Sequence, residues 1–122
     1  MDNAFPEKYR QDIAIIKDTA AQVVKDFGIF GIDFTFSGNA LTAYEELKQQ
    51  IKPVLFELFQ RDKTRFQALL YRIDISEKQF RKMIGTGENE DFPAMMADAI
   101  LQREFQKVLT RKFFSGRDRS EG

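Results

Sequence analysis

Carboxylates are the acid–base groups this chain has to offer. Its 122 residues contain no histidine and no cysteine. That removes the commonest general base near neutral pH, the thiolate nucleophile, disulfides and Cys- or His-ligated metal sites. Glu45, Glu46, Glu57, Asp62, Asp74, Asp98 and Glu104 remain as interior candidates. Asp74 stands between Ile73 and Ile75, and Glu104 beside Phe105, so these two are expected to be partly buried. A buried acid needs a cationic partner, and Arg72, Arg81, Arg103 and Arg111 are available. Spacing brings no two of the acids into one cleft, so the expectation is an ion-pair network inside the protein, with no catalytic residue, cofactor or metal.

The second group of interest is cationic. Arg103, Lys107 and Arg111 fall at i, i+4 and i+8, a single helical row rising about 12 Å. Arg117 and Arg119 extend the positive charge. Such a row fits a phosphate backbone, with affinity that falls as salt is added. Against this, no aromatic interleaves the row, and 19 basic residues balance 19 acidic ones overall. A solvent-facing helix surface is therefore the leading reading, and nucleic-acid binding through Arg103, Lys107 and Arg111 the alternative.

Two glycine-bearing stretches invite a phosphate-loop reading. "FGIFGIDFTFSG", residues 27–38, surrounds its glycines with Phe and completes neither a P-loop nor a dinucleotide pattern. "GTGENED", residues 85–91, leads into Glu88, Glu90 and Asp91, which repel phosphate and lack calcium-loop spacing. It reads as a solvated turn.

Helices must position these groups. Tyr9, Ile13, Ile16, Ala20, Val23 and Phe27 step by three and four, which predicts a helix over residues 6–26 with Pro6 in its first turn and Gly28 as a left-handed C-cap. In residues 32–36, Ile32, Phe34 and Phe36 alternate with Asp33 and Thr35. Period two predicts a short extended segment with the three apolar side chains on one face. A second helix starts at Asn39, or at Thr42 with Glu45 as a capping box. Its stripe of Leu41, Tyr44, Leu47, Ile51, Leu55 and Leu58 keeps phase through Pro53, so a kinked helix or two abutting helices is expected. Asp62 caps a third helix with Phe66, Leu69, Leu70 and Ile73 inward. Ser76 with Gln79, flanked by Ile75 and Phe80, signals a short fourth helix over 77–84 that Gly85 ends. The last opens at Asp91 or Phe92, with Met96, Ile100, Leu101, Phe105, Val108, Leu109 and Phe113 along one face.

The sum is a mainly α fold, a compact bundle of four to six helices with one short extended or β segment near residues 32–36. One domain covers 1–114, and "SGRDRSEG", residues 115–122, is expected to be a disordered tail. No apolar leader opens the chain and no apolar run approaches the ~20 residues of a membrane helix, so the expectation is a cytoplasmic protein without membrane contact.

Missing catalytic chemistry and a generous apolar supply point to a non-enzymatic interaction or self-association module. Ile15, Val24, Met95 and Leu101 widen the seams, which suggests a homo-oligomer, most simply a homodimer, or a protein partner. A lone extended segment must satisfy its backbone somewhere. Ile32, Phe34 and Phe36 are thus the candidate contact residues. Their edge would pair with "YRIDIS", residues 71–76, if that stretch is extended, and with another chain if it is helical.

Overall fold

The computed structural model describes residues 12–85 and 92–121. Among these residues the chain forms five helices and no strand: α1 (Ile13–Gly28), α2 (Ala43–Arg61), α3 (Lys63–Ile73), α4 (Glu77–Gly85) and α5 (Phe92–Glu121). The long α5 packs against both α1 and α2, while α3 closes on α1 and α2. Residues 32–37 carry no regular structure. No described helix is long and apolar enough to cross a membrane.

The predicted stripes form the core. Ile16, Ala20, Val23 and Phe27 of α1 meet Leu47, Ile51 and Leu55 of α2 and Ile100, Leu101 and Phe105 of α5, all buried. Continuity of the α2 stripe through Pro53 corresponds to one helix with the proline inside it. Leu41 departs from its stripe. It lies before the helix proper, in the turn leading to the Thr42 N-cap, and is 89% exposed.

Helix ends are set by side chains close in sequence. Helix α1 starts at Ile13 and not at residue 6, because Asp12 adopts non-helical dihedrals and its carboxylate accepts from Ile15 N at 3.1 Å; Pro6 and Tyr9 lie outside the described residues. The other end also differs from expectation. Gly28 is helical, and the left-handed glycine is Gly31 (φ 78°), reached through a turn in which Phe30 N and Ile32 N both donate to Phe27 O. Asp62 serves two helices: its N–H donates to Leu58 O at the end of α2, and its carboxylate accepts from Arg65 N at the start of α3. At the start of α2 the expected Glu45 box gives way to Glu46, whose carboxylate accepts from the Thr42 hydroxyl.

Helix α3 ends with Ile75 N donating to Leu70 O and Asp74 N to Tyr71 O. This is the Schellman pattern, with Asp74 in the left-handed position (φ 74°) where glycine is usual. Residues 71–76 are thus a helix end, not a strand. Asp74 is exposed, contrary to the expected burial, because the left-handed turn swings its side chain outward to Arg103. The α4 box forms reciprocally: Gln79 N donates to Ser76 Oγ at 3.1 Å and Ser76 N to Gln79 Oε1 at 2.9 Å. Residues 86–91 lie outside the described ones, and so does the expected acidic turn apart from Gly85. Helix α5 runs on to Glu121.

Candidate functional site

The extended segment occupies a channel between α1 and α2. Its side chains alternate as predicted: Asp33, Thr35 and Ser37 are exposed, Phe34 is buried, and Ile32 and Phe36 are half-buried against the core. Phe34 stacks on Phe27 with ring centroids 4.6 Å apart. The two glycines with positive φ, Gly31 and Gly38, bracket the segment and redirect the chain at each end.

Its α2 edge is held by side chains in place of a second strand. Gln50 grips Thr35 at both backbone groups: Thr35 N donates to Gln50 Oε1 at 2.9 Å, and Gln50 Nε2 donates to Thr35 O at 2.8 Å. Two residues on, Ser37 N donates to Glu46 Oε1 at 2.9 Å and the Ser37 hydroxyl to Glu46 Oε2 at 2.6 Å. Bonds from Ser37 and Thr42 hold the Glu46 carboxyl below its ordinary pKa. The carboxamide thus reproduces the donor–acceptor pair that a neighbouring strand would present.

The other edge is open. The backbone N–H and C=O of Phe34 and Phe36 have no hydrogen-bond partner among the described residues. Alternation of an extended chain turns them away from α2. A groove of about 540 Å³ lies on that side, with Lys17, Ala20, Ala21, Val24 and Lys25 of α1 forming one wall and Phe34, Phe36 and Gly38 the other. Ile32 belongs to a separate cleft toward α2, beside Pro53 and Leu58. The structure therefore brings Phe34 and Phe36 to one groove and leaves Ile32 outside it.

Charged groups gather in a second place, where α1, α3 and α5 meet. Asp26 and Glu104 have fully buried side chains. Asp26 Oδ1 accepts from Arg72 Nε and from Gln22 Nε2, each at 3.0 Å. Lys107 Nζ lies 3.3 Å from both Asp26 Oδ2 and Glu104 Oε1. Burial raises the Asp26 pKa, but bonds from Glu104, Arg72 and Lys107 outweigh it and leave that carboxyl below its ordinary value. Glu104 goes the other way. Burial, then the bond to Asp26 and its negative charge, push it up to about 8 against a weaker opposing pull from Lys107. Apart from the Lys107 contact, no donor reaches either Glu104 oxygen if both acids are ionised. A protonated Glu104 removes that deficit by donating to Asp26. The sealed pair has no exposed atom to offer a substrate.

The basic row belongs to this network. Lys107 joins Asp26 and Glu104, Arg103 binds the carbonyl and carboxylate of Asp74, and Arg111 donates to Gln22 Oε1 at 2.9 Å. Arg103, Lys107 and Arg111 therefore tie α5 to α1 and α3, and each has a protein partner. Glu104 is buried as expected beside Phe105; Asp26, absent from the expected acids, carries one sequence signal, its place beside Val23 and Phe27 on the α1 seam.

A further groove, about 390 Å³, runs between α3 and α4 over Phe59, Phe66, Leu70, Ile75 and Phe80. Phe59, Phe66, Phe80 and Phe92 stack edge to face or tilted, with centroids 5.0 to 6.2 Å apart. The rim cations are engaged within the chain: Lys63 donates to Phe59 O and lies over that ring, and Arg81 pairs with Glu77.

Compared with known proteins, the chain matches no family model, no curated protein and no solved structure.

Proposed function

We propose that this chain is a non-enzymatic interaction module that takes up an extended segment of a partner protein along the open edge of residues 34–36. The observation that carries this reading is the asymmetry of the two edges. On one, Gln50 and Glu46 engage the N–H and C=O of Thr35 and the N–H of Ser37, while on the other Phe34 and Phe36 keep unpaired N–H and C=O groups facing a groove. A strand added there meets donors and acceptors two residues apart, the spacing that β-augmentation uses. The Gln50 clasp holds the edge in its extended form before the partner arrives, which lowers the ordering cost of binding.

A protein segment is favoured over a second copy of the chain. Ile15 and Leu101, which widen the helix seams, are buried within the subunit, and Val24 and Met95 are half-buried. The apolar area expected to seat a second copy is thus largely covered internally. Nucleic acid is disfavoured by the protein partners of Arg103, Lys107 and Arg111.

The test is hydrogen exchange read by NMR on peptides selected from a random nonapeptide library. Bound peptide is expected to slow exchange of the Phe34 and Phe36 amides and to leave the already bonded Thr35 amide nearly unchanged. A homodimer through the same edge would slow those amides without peptide, increasingly with protein concentration. Selection that yields no binder, or binders that protect only the α3–α4 groove, would refute the proposal.

A further inference from the structure

The two walls of the open groove differ in what they ask of an incoming segment. Residues 34–36 offer backbone groups, whereas α1 offers a row of side chains, Lys17, Ala21 and Lys25, at i, i+4 and i+8. Both lysines are exposed, and neither has a hydrogen bond or ion pair among the described residues. Lys107, Lys48, Lys63 and Lys112 are engaged within the chain, and Lys52, Lys78 and Lys82, which have no bonded partner among the described residues either, do not line this groove. The one acid in residues 32–38, Asp33, does not line the groove.

Spacing converts that row into a sequence preference. Eight helical residues at 1.5 Å place the lysine positions about 12 Å apart. Four residues of an extended chain span about 13 Å, and residues four apart point to the same side. We propose that the groove selects acidic extended segments, with two carboxylates four residues apart seated on Lys17 and Lys25 and a small residue midway between them over Ala21. This rests on the open-edge reading above and adds the partner's chemistry to it. Backbone pairing supplies sequence-tolerant affinity, and the lysine row chooses among sequences.

Two alternating nonapeptides test the idea by titration calorimetry at low salt. One carries Glu at its third and seventh positions with Ala at the fifth; the other has Gln in place of both Glu. Two exposed ion pairs predict roughly five- to tenfold tighter binding of the Glu peptide, a preference that shrinks as salt is added. Lys17→Ala combined with Lys25→Ala is expected to abolish the preference, while the thermal midpoint stays close to that of the parent because both side chains are exposed. Equal binding of the two peptides would overturn the acidic preference and leave the open edge standing. So would a Glu peptide that binds the double variant as tightly as the parent, or one with its acids three apart that binds as well. Failure of both peptides to bind, or to slow exchange at Phe34 and Phe36, would overturn both readings.

Discussion

Replacing Glu104 with Gln is expected to stabilise the protein near neutral pH, although it alters a fully buried residue of the core. The carboxyl has an ordinary pKa of 4.5 and is raised to about 8 in the folded chain. Between those values the unfolded chain ionises Glu104 and the folded chain keeps the proton, so folding takes one up. The stabilisation that comes with the protonated carboxyl is complete below 4.5 and is lost as pH rises through about 8. At about 1.4 kcal/mol per pH unit, roughly 3 kcal/mol is gone near pH 7 and roughly 5 kcal/mol when the loss is complete. Glutamine cannot ionise in either state, and its N–H can replace the proton donated to Asp26. Glu104→Gln should therefore match the parent near pH 4.5 and exceed it by about 3 kcal/mol near pH 7. Asp26 titrates in the opposite sense. Its carboxyl is held low, so its stabilisation is present above 3.8 and is lost as pH falls through its folded value, outside this window. Urea unfolding of both proteins across the interval from about pH 5 to about pH 8 gives the comparison directly. Parent stability that stays flat across that interval, or a Gln variant less stable than the parent near pH 7, would show that Glu104 is ionised in the fold and refute the reasoning.

Two more perturbations follow from the fold. Gly31→Ala forces a side chain into φ 78°, where an added Cβ would meet nothing closer than Arg65 at 3.8 Å; strain alone should cost about 1 to 2 kcal/mol, and a loss below about 0.5 kcal/mol in urea unfolding would contradict the left-handed turn. Tyr44 donates to Asp98 Oδ1 at 2.6 Å, and Lys48 lies 3.1 Å from the same oxygen. Tyr44→Phe leaves Asp98 its lysine, so a loss of about 1.5 to 3 kcal/mol is expected for a bond to a charged acceptor, checked by the thermal midpoint and by a smaller loss from the same change when Asp98 is already Asn.

The helices were legible because each depends on residues near in sequence. Phe66, Leu69, Leu70 and Ile73 repeat with the helical period, Ser76 and Gln79 sit at capping-box spacing, and Asp62 precedes its helix by one residue. Boundaries failed where a nearer competitor prevailed. Asp12 caps α1 at Ile13, and the chain turns left-handed at Gly31 in place of Gly28. The extended segment was visible in its alternation, but the groups that satisfy its α2 edge were not. Gln50 is fifteen residues from Thr35 and looks like any exposed helical glutamine in sequence. The charge network was half legible. Glu104 beside Phe105 drew attention, whereas Asp26 belongs to the network only because α3 and α5 bring Arg72 and Lys107 to it across 46 and 81 residues. Tertiary partners of that kind leave no local trace.

Asp62 closes one helix with its N–H and opens the next with its carboxylate, so α2 and α3 meet at a joint with no spare chain. Bringing the two helices together requires almost no loop closure, and that hairpin can assemble from neighbours in sequence before distant segments arrive. The same lack of slack transmits displacement. Gln50 rides on α2, Arg65 at the start of α3 grips Phe30 just before the extended segment, and any shift of the open edge must therefore pull on both arms of a corner that cannot stretch.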